Sequence, residues 1–172
     1  ELFKGPVALA HNGNIVNFEA IKKELSYTGA IFQATSDTEI LLHLISKRNQ
    51  DNFIQALKDS VLKLEGAFSF VLLSQKKLVA LRDPYGFRPL SLGRKGDSYV
   101  VASETCAFDL IGAEYVREVL PGEIIWFDET GMHSEIYAKK EKLAQCVFEH
   151  VYFARPDSKV FGRSVYESRK KL

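Results

Sequence analysis

Val7-Ala8-Leu9-Ala10-His11-Asn12-Gly13-Asn14 is the stretch on which the reading of this chain turns. Four apolar residues climb to a polar tip, the pattern of a short buried strand over 7–10 that ends in turn residues. The tip places an amide side chain, Asn12, before a residue with no Cβ, Gly13. Together they supply two hydrogen-bond donors, the Asn12 carboxamide and the Gly13 backbone N–H. Two donors aimed at one point hold the negative oxygen of a tetrahedral intermediate. Gly13 also permits positive φ and close approach of a substrate to the backbone. Asn-Gly is equally a strong hairpin signal, and taken alone the pair favours a turn. Later stretches shift the balance toward a site.

Downstream, Asn17 is placed to N-cap a helix. Phe18, Ile21 and Leu25 share one face of it, with Lys22, Lys23 and Glu24 outside. Gly29 ends it, and Ile31-Phe32 returns extended. Ser36-Asp37-Thr38-Glu39 has capping-box spacing before the apolar run Ile40-Leu41-Leu42, which predicts a helix to about residue 46. Asp37 is ordinarily a first-turn carboxylate favoured by the helix dipole. Beside a pocket it can instead hold the ammonium of an amino acid. His43 has no partner at metal spacing and reads as a core or surface histidine.

A third helix is predicted over 53–64, with Gly66 as its stop. The period then changes. Strands over 67–73 and 78–81 make a hairpin. Arg82 to Leu90 carries two prolines and a glycine and reads as a structural loop, with Asp83 and Arg88 placed to pair across it. A hairpin comes next over 90–93 and 98–102. Ser103 is placed to cap a short helix ending at Gly112, with Cys106 an inert thiol. Runs over 116–120, 123–127 and 132–137 complete a meander in which Trp126 and Phe127 pack. Residues 147–153 read as a last strand-like run and 154–158 as a loop. Helices followed by many antiparallel strands define an α+β class.

Composition narrows the function classes. The chain has 172 residues, of which 46% are hydrophobic, enough for a single domain with a sizeable core. Its formal net charge is +1 with no basic stripe, which argues against nucleic acid or a membrane surface as the main partner. No apolar run reaches the ~20 residues that cross a bilayer, and no secretory pattern opens the chain. Two cysteines are too few for a disulfide framework, so a reducing, cytoplasmic compartment is expected. Residue 1 is Glu, Phe3-Lys4-Gly5-Pro6 leads straight into a strand, and 164–172 reads as the start of a helix. A piece of a longer chain is therefore expected.

Five motifs, taken together, carry a resemblance. His11-Asn12-Gly13-Asn14, Ser36-Asp37-Thr38-Glu39, Arg82-Asp83-Pro84 with Gly86 and Arg88-Pro89-Leu90, Ala102-Ser103-Glu104 and Leu120-Pro121-Gly122-Glu123 stand in the order seen in class II glutamine amidotransferase domains, which are N-terminal-nucleophile hydrolases. Tyr152-Phe153-Ala154-Arg155-Pro156-Asp157-Ser158 resembles the end of the glutaminase domain in the amidophosphoribosyltransferase branch of that family. The resemblance covers nearly the whole chain. It implies a layered α/β/β/α sandwich, incomplete at its N-terminal side. Residues 1–160 would form the amidotransferase domain, and 161–172 the start of a connection to an absent phosphoribosyltransferase domain.

By the same resemblance, Asn12 and Gly13 fall on the oxyanion hole and Asp37 on the acid that holds the glutamine α-amino group. Cys146 falls on the first cysteine ligand of the [4Fe–4S] cluster found in one branch, a cluster that ordinarily takes four cysteines; a plain buried thiol is the other reading. Glutamine and phosphoribosyl pyrophosphate are the implied substrates, with Mg²⁺ at the absent domain and a homo-oligomeric full-length enzyme of purine synthesis. The N-terminal cysteine nucleophile and the arginine that grips the substrate carboxylate are missing from this chain, so the chain alone is expected to be inactive. A glucosamine-6-phosphate synthase-like amidotransferase and a catalytically silent scaffold are the alternatives.

Overall fold

The computed structural model describes residues 5–48, 52–140 and 142–172, so the lead-in at Phe3-Lys4 and the first residues of the expected 1–160 domain lie outside them. Strand β1 (Val7–Ile15) runs straight through His11-Asn12-Gly13. It pairs antiparallel with β2 (Gly66–Ser74) along its whole length, from Val7 opposite Ser74 to Ile15 opposite Gly66. The Asn-Gly pair is therefore inside a strand and not at a turn. A continuous ladder pairs the backbone groups of β1 that face β2, and tertiary pairing overrides the dipeptide preference.

Three helices connect these strands: α1 (Phe18–Tyr27), α2 (Glu39–Lys47) and α3 (Phe53–Val61). Asn17 stands at the start of α1 but makes no cap bond. Its carboxamide donates to Lys63 O at 2.9 Å and accepts from Glu65 N at 3.0 Å, tying the β1–α1 corner to the α3–β2 corner. The box at α2 also differs from expectation. Ser36 Oγ accepts from Thr38 N, while Glu39 reaches back to the N–H groups of Gln33 and Ala34, each at 2.9 Å.

After β3 (Leu78–Arg82) come the hairpin β4 (Ser91–Lys95) and β5 (Ser98–Ala102), then α4 (Cys106–Ile111), β6 (Glu114–Glu118), β7 (Glu123–Asp128) and β8 (Gly131–Ile136). One sheet has the order β1-β2-β3-β7-β8 and a second the order β5-β4-β6. Alternation along each strand separates two cores. Phe68, Phe70, Leu72, Val79, Leu81 and Ile124 face the helices, under Leu25, Ile40, Leu41 and Leu57. Val71, Ala80 and Ile125 face the second sheet and meet Leu90, Val101 and Val119. On that sheet's outer side Phe108 of α4 lies so close to Gly93 that an added Cβ would stand 2.9 Å from its ring. The layers are thus helix, sheet, sheet, helix.

The end of the chain corrects one expectation. Residues 147–153 do not form a strand; Glu149–Phe153 is a π-helical turn. A short apolar run does not by itself distinguish strand from helix. Here its carbonyls find a cation: Arg169 donates to His150 O and to Ala154 O, each at 2.7 Å. Arg169 belongs to α5 (Val165–Arg169), which comes after the two-residue strands β9 (Lys159–Val160) and β10 (Arg163–Ser164). A small core of Ala154, Val160 and Val165 holds this segment together, and residues 161–172 fold back onto it.

Candidate functional site

The site depends on which way β1 turns its groups. Val16 N donates to Glu65 O at 2.8 Å, beside β2, whereas Ile15 N donates to Asp37 Oδ2 at 2.9 Å. An antiparallel strand alternates in this way, so the odd-numbered N–H groups of β1 turn to its outer edge. No other described strand pairs there. Gly13 N–H shares that edge with Ile15, and Asp37, at the start of α2, sits on it. Gly13 has φ +148°, and an added Cβ would stand 2.0 Å from Ala67 O, so only glycine fits.

His11 and Asn12 point to opposite faces. His11 lies across from Phe70 on the helical side, with ring centroids 4.5 Å apart. Its Nδ1 is 3.1 Å from Thr38 Oγ1 and 3.5 Å from Asp37 Oδ1, and its side chain is 5% exposed. Its Nε2 is buried and has no hydrogen bond of good geometry among the described residues; the Ala67 carbonyl is the polar group that faces it. Burial pushes the imidazole below the ordinary histidine value, against the pull of Asp37 and the Ala67 carbonyl. His11 is therefore neutral at pH 7. Asn12 faces the second sheet, and its Nδ2 donates to Ser103 Oγ at 3.5 Å.

On the Asn12 side a cleft of about 290 Å³ is lined by Asn12, Arg88, Ser103, Glu104, Glu149 and Phe153. Arg88 forms one wall. Its Nη1 lies 2.8 Å from Glu149 Oε1, and its guanidinium stands 4.8 Å from the Phe153 ring centre. The expected Asp83–Arg88 pair does not form. Asp83 is fully buried and accepts from the N–H groups of Phe68, Tyr85 and Phe87 at 3.3, 2.9 and 3.1 Å. Arg82, also buried, donates to the carbonyls of Arg88, Val119 and Gly86 at 2.7, 2.8 and 3.0 Å. The loop expected to be structural braces the two sheets and sets the backbone from which Arg88 projects.

Cys146 is half-buried beside this wall, with Sγ 3.8 Å from Arg88 Nη1. Cys106 is buried at the start of α4, near Glu104. No three His, Cys, Asp or Glu residues cluster at metal-binding positions among the described residues. An iron–sulfur cluster does not fit this chain's residues alone, which offer it one thiol. His43 pairs with Glu39 at 3.6 Å and packs on Phe32, as a core or surface histidine would.

Asn12, Gly13 and Asp37 thus lie along one stretch of β1, with Asp37 bonded to it at Ile15 N and the Asn12 side chain on the second-sheet face, while Cys146 lies by the Arg88 wall. Ser103, Glu104, Arg88 and Glu149 were not singled out as site residues. Ser103 reads locally as a helix cap, but α4 begins three residues later with Thr105 before it, and Ser103 turns to Asn12 instead. Only the Ala102-Ser103-Glu104 motif hinted at more.

Residues 2–109 match the family model described as a glutamine amidotransferase domain, and the chain belongs to that family. Its fold is the layered sandwich of the N-terminal-nucleophile hydrolases. Among curated relatives it is 53% identical over 168 residues to the chloroplastic amidophosphoribosyltransferase of Glycine max, covering 96% of this chain and 30% of that protein. It is 46% identical to the amidophosphoribosyltransferase of Bacillus subtilis, covering 98% of this chain and 35% of that one. The solved B. subtilis glutamine phosphoribosylpyrophosphate amidotransferase, complexed with ADP and GMP, superposes with TM-score 0.95 at 45% identity over 99% of this chain and 37% of that chain. A class II glutamine aminotransferase domain protein from Silicibacter pomeroyi, at 17% identity and TM-score 0.57, shares the fold. The chain spans about a third of the length of the curated relatives it matches.

Proposed function

We propose that this chain is part of the glutaminase domain of an amidophosphoribosyltransferase, releasing ammonia from glutamine for the first step of purine synthesis. The observation that carries this reading is the outer edge of β1, to which Asp37 bonds at Ile15 N, two residues from the Gly13 N–H on the same edge, with Asn12 adjacent in sequence. A cysteine thiolate attacks the glutamine carboxamide carbon, and the carbonyl electrons move onto oxygen. Asn12 Nδ2–H and Gly13 N–H hold that oxyanion. Collapse expels ammonia, which carries off the amide nitrogen with a proton from the nucleophile's own amine. Water then cleaves the thioester to glutamate. Asp37 holds the substrate ammonium and so fixes register. The released ammonia displaces pyrophosphate from phosphoribosyl pyrophosphate at a second, Mg²⁺-dependent domain.

The nucleophile is not among these residues. Cys106 is buried and neither internal cysteine carries a free amine. Cys146 is one ligand of an iron–sulfur cluster completed by cysteines outside this chain; its half-exposed position next to the Arg88 cation supports that role. The absorption spectrum of the full-length protein, with and without Cys146→Ser, tests it. We place residues 161–172 at the junction to the phosphoribosyltransferase domain, in a homo-oligomer held in a reducing compartment, the cytoplasm. No helix among the described residues is long and apolar enough to cross a membrane.

The test is glutamate release from glutamine by the full-length protein. Asn12→Ala is expected to lower turnover by about 10²-fold or more, the usual cost of one oxyanion donor. Asp37→Ala is expected to raise KM for glutamine strongly. Undiminished turnover in both variants overturns the reading.

A further inference from the structure

Building on that reading, we infer that Ser103 is a positioning residue: it restrains the Asn12 carboxamide, and Glu104 and Thr105 clamp its loop to the turn at residues 155–159. The geometry begins at Asn12. Its Nδ2 carries two hydrogens, and one is directed at Ser103 Oγ, 3.5 Å away. The other is left for the cleft that both residues line. An Asn side chain with no second contact rotates about χ2 and presents its donor for only part of the time. Contact with Ser103 holds the amide plane before the oxyanion forms. Such bonds are often long in the free enzyme and shorten in the transition state.

Ser103 is in turn held through its two C-terminal neighbours. It is the first residue after β5, and the next two residues make three contacts to a segment about fifty residues downstream. Glu104 Oε2 accepts from Arg155 N at 2.7 Å and from Ser158 Oγ at 2.8 Å. Thr105 Oγ1 accepts from Lys159 N at 2.8 Å. Ser158 is 2% exposed, and Ala154 and Val160 on either side belong to the small C-terminal core. None of the three contacts is needed to start α4, which makes no side-chain cap bond. The corner between β5 and α4 therefore links the Asn12 donor to the C-terminal turn. A displacement of residues 155–159 reaches Asn12 through two neighbouring side chains.

The experiment uses the full-length protein, with glutamine-dependent glutamate release as the readout. Ser103→Ala is expected to lower kcat about tenfold with KM for glutamine within twofold, because the restraint matters to the transition state. Ser103→Thr, which keeps the hydroxyl, is expected to recover most of the loss. In an Asn12→Ala background Ser103→Ala is expected to add nothing, whereas a general structural defect would add its full tenfold. Glu104→Ala is expected to reproduce the kcat loss, to be non-additive with Ser103→Ala, and to speed amide exchange over 154–160. Unchanged kcat in Ser103→Ala, or an equal further loss on top of Asn12→Ala, overturns the inference while leaving the oxyanion assignment intact. Full activity in Asn12→Ala itself overturns both. If Ser103→Ala does not fold, Ser103→Thr combined with Glu104→Ala carries the test, and normal kcat in that pair overturns the inference.

Discussion

Gly13 and His11 sit two positions apart, and each is constrained in a different way, Gly13 by the Ala67 carbonyl and His11 by burial of its ring. Gly13→Ala forces a Cβ to within 2.0 Å of the Ala67 carbonyl, a backbone atom that cannot swing aside. A cost of about 2 kcal/mol or more is expected from strain and overpacking, measured by chemical denaturation; a cost under half of that would mean that β1 shifts freely. His11 bears on pH. Its imidazole is held below its ordinary value of 6.5, so the unfolded chain binds the proton more readily than the folded one. Stability from this group is complete above about pH 6.5 and is lost as pH falls below it. Asp37 is the charged group facing the ring, and its pull limits the loss. Melting temperatures recorded from pH 8 to 5.5 should decline at the acid end, and His11→Asn should flatten that decline. Parallel curves for the two proteins would assign the acid sensitivity elsewhere.

At the scale of elements, the loop from β3 to β4 is held by buried charge. Arg82 serves three carbonyls from two segments, and Tyr137 Oη donates back to the Arg82 carbonyl at 2.9 Å. Arg82→Met keeps volume but takes the guanidinium donors from the Gly86 and Val119 carbonyls and leaves the Arg88 carbonyl with Ser69 Oγ alone, in a site that is 1% exposed. At about 1–3 kcal/mol for each unsatisfied group, a loss above 3 kcal/mol is expected. The Arg88 carbonyl is one of the three, so the Arg88–Glu149 wall should loosen with it. A denaturation midpoint close to the parent protein's would show that water replaces the guanidinium. At the β6–β7 corner, Glu123 is 1% exposed and takes a two-point contact from Arg117 at 2.8 and 2.7 Å. Arg117→Ala leaves that carboxylate with Ser134 and Leu120 N–H alone, and a cost of about 2–4 kcal/mol is expected by the same measurement, somewhat below a fully sealed pair because Arg117 is partly exposed.

Across the whole molecule, cohesion is uneven. The helix-facing core contains Leu41, Leu57 and Leu81 at 0% exposure and spans every layer on that side. The C-terminal core has three buried residues and is joined to the body through polar contacts of Glu104, Thr105, Arg88 and Glu118 and by Arg82 over the Phe161 ring. Few buried apolar contacts mean a low opening free energy. Amide exchange over 159–169 is therefore expected to be orders of magnitude faster than in β2 and β3. Equal protection in the two regions would mean that the small core opens only with the rest. The same map would locate the apolar side chains of Phe148, Tyr152 and Phe153, which are 56, 77 and 49% exposed, in the less protected part.

What the chain determined locally was the existence of its elements. Periodicity marked the three helices, the strands of the hairpins and the meander, because apolar spacing reports which face must leave water. The candidate site was legible as a set of motifs, since Asn12, Gly13 and Asp37 occur in stretches whose order resembles a known family. The partners of those residues were not legible. Asn17, Ser36 and Ser103 all read as helix caps, because a short polar side chain before a helix has a nearby N–H to serve. In the fold Asn17 spans two corners and Ser103 turns to Asn12. Arg88 leaves Asp83 for Glu149, some sixty residues away. Residues 147–153 wind into a π-helical turn under Arg169. Each of these was decided by which distant carbonyl, carboxylate or amide packing brought within hydrogen-bond reach, and sequence spacing carries no record of that distance.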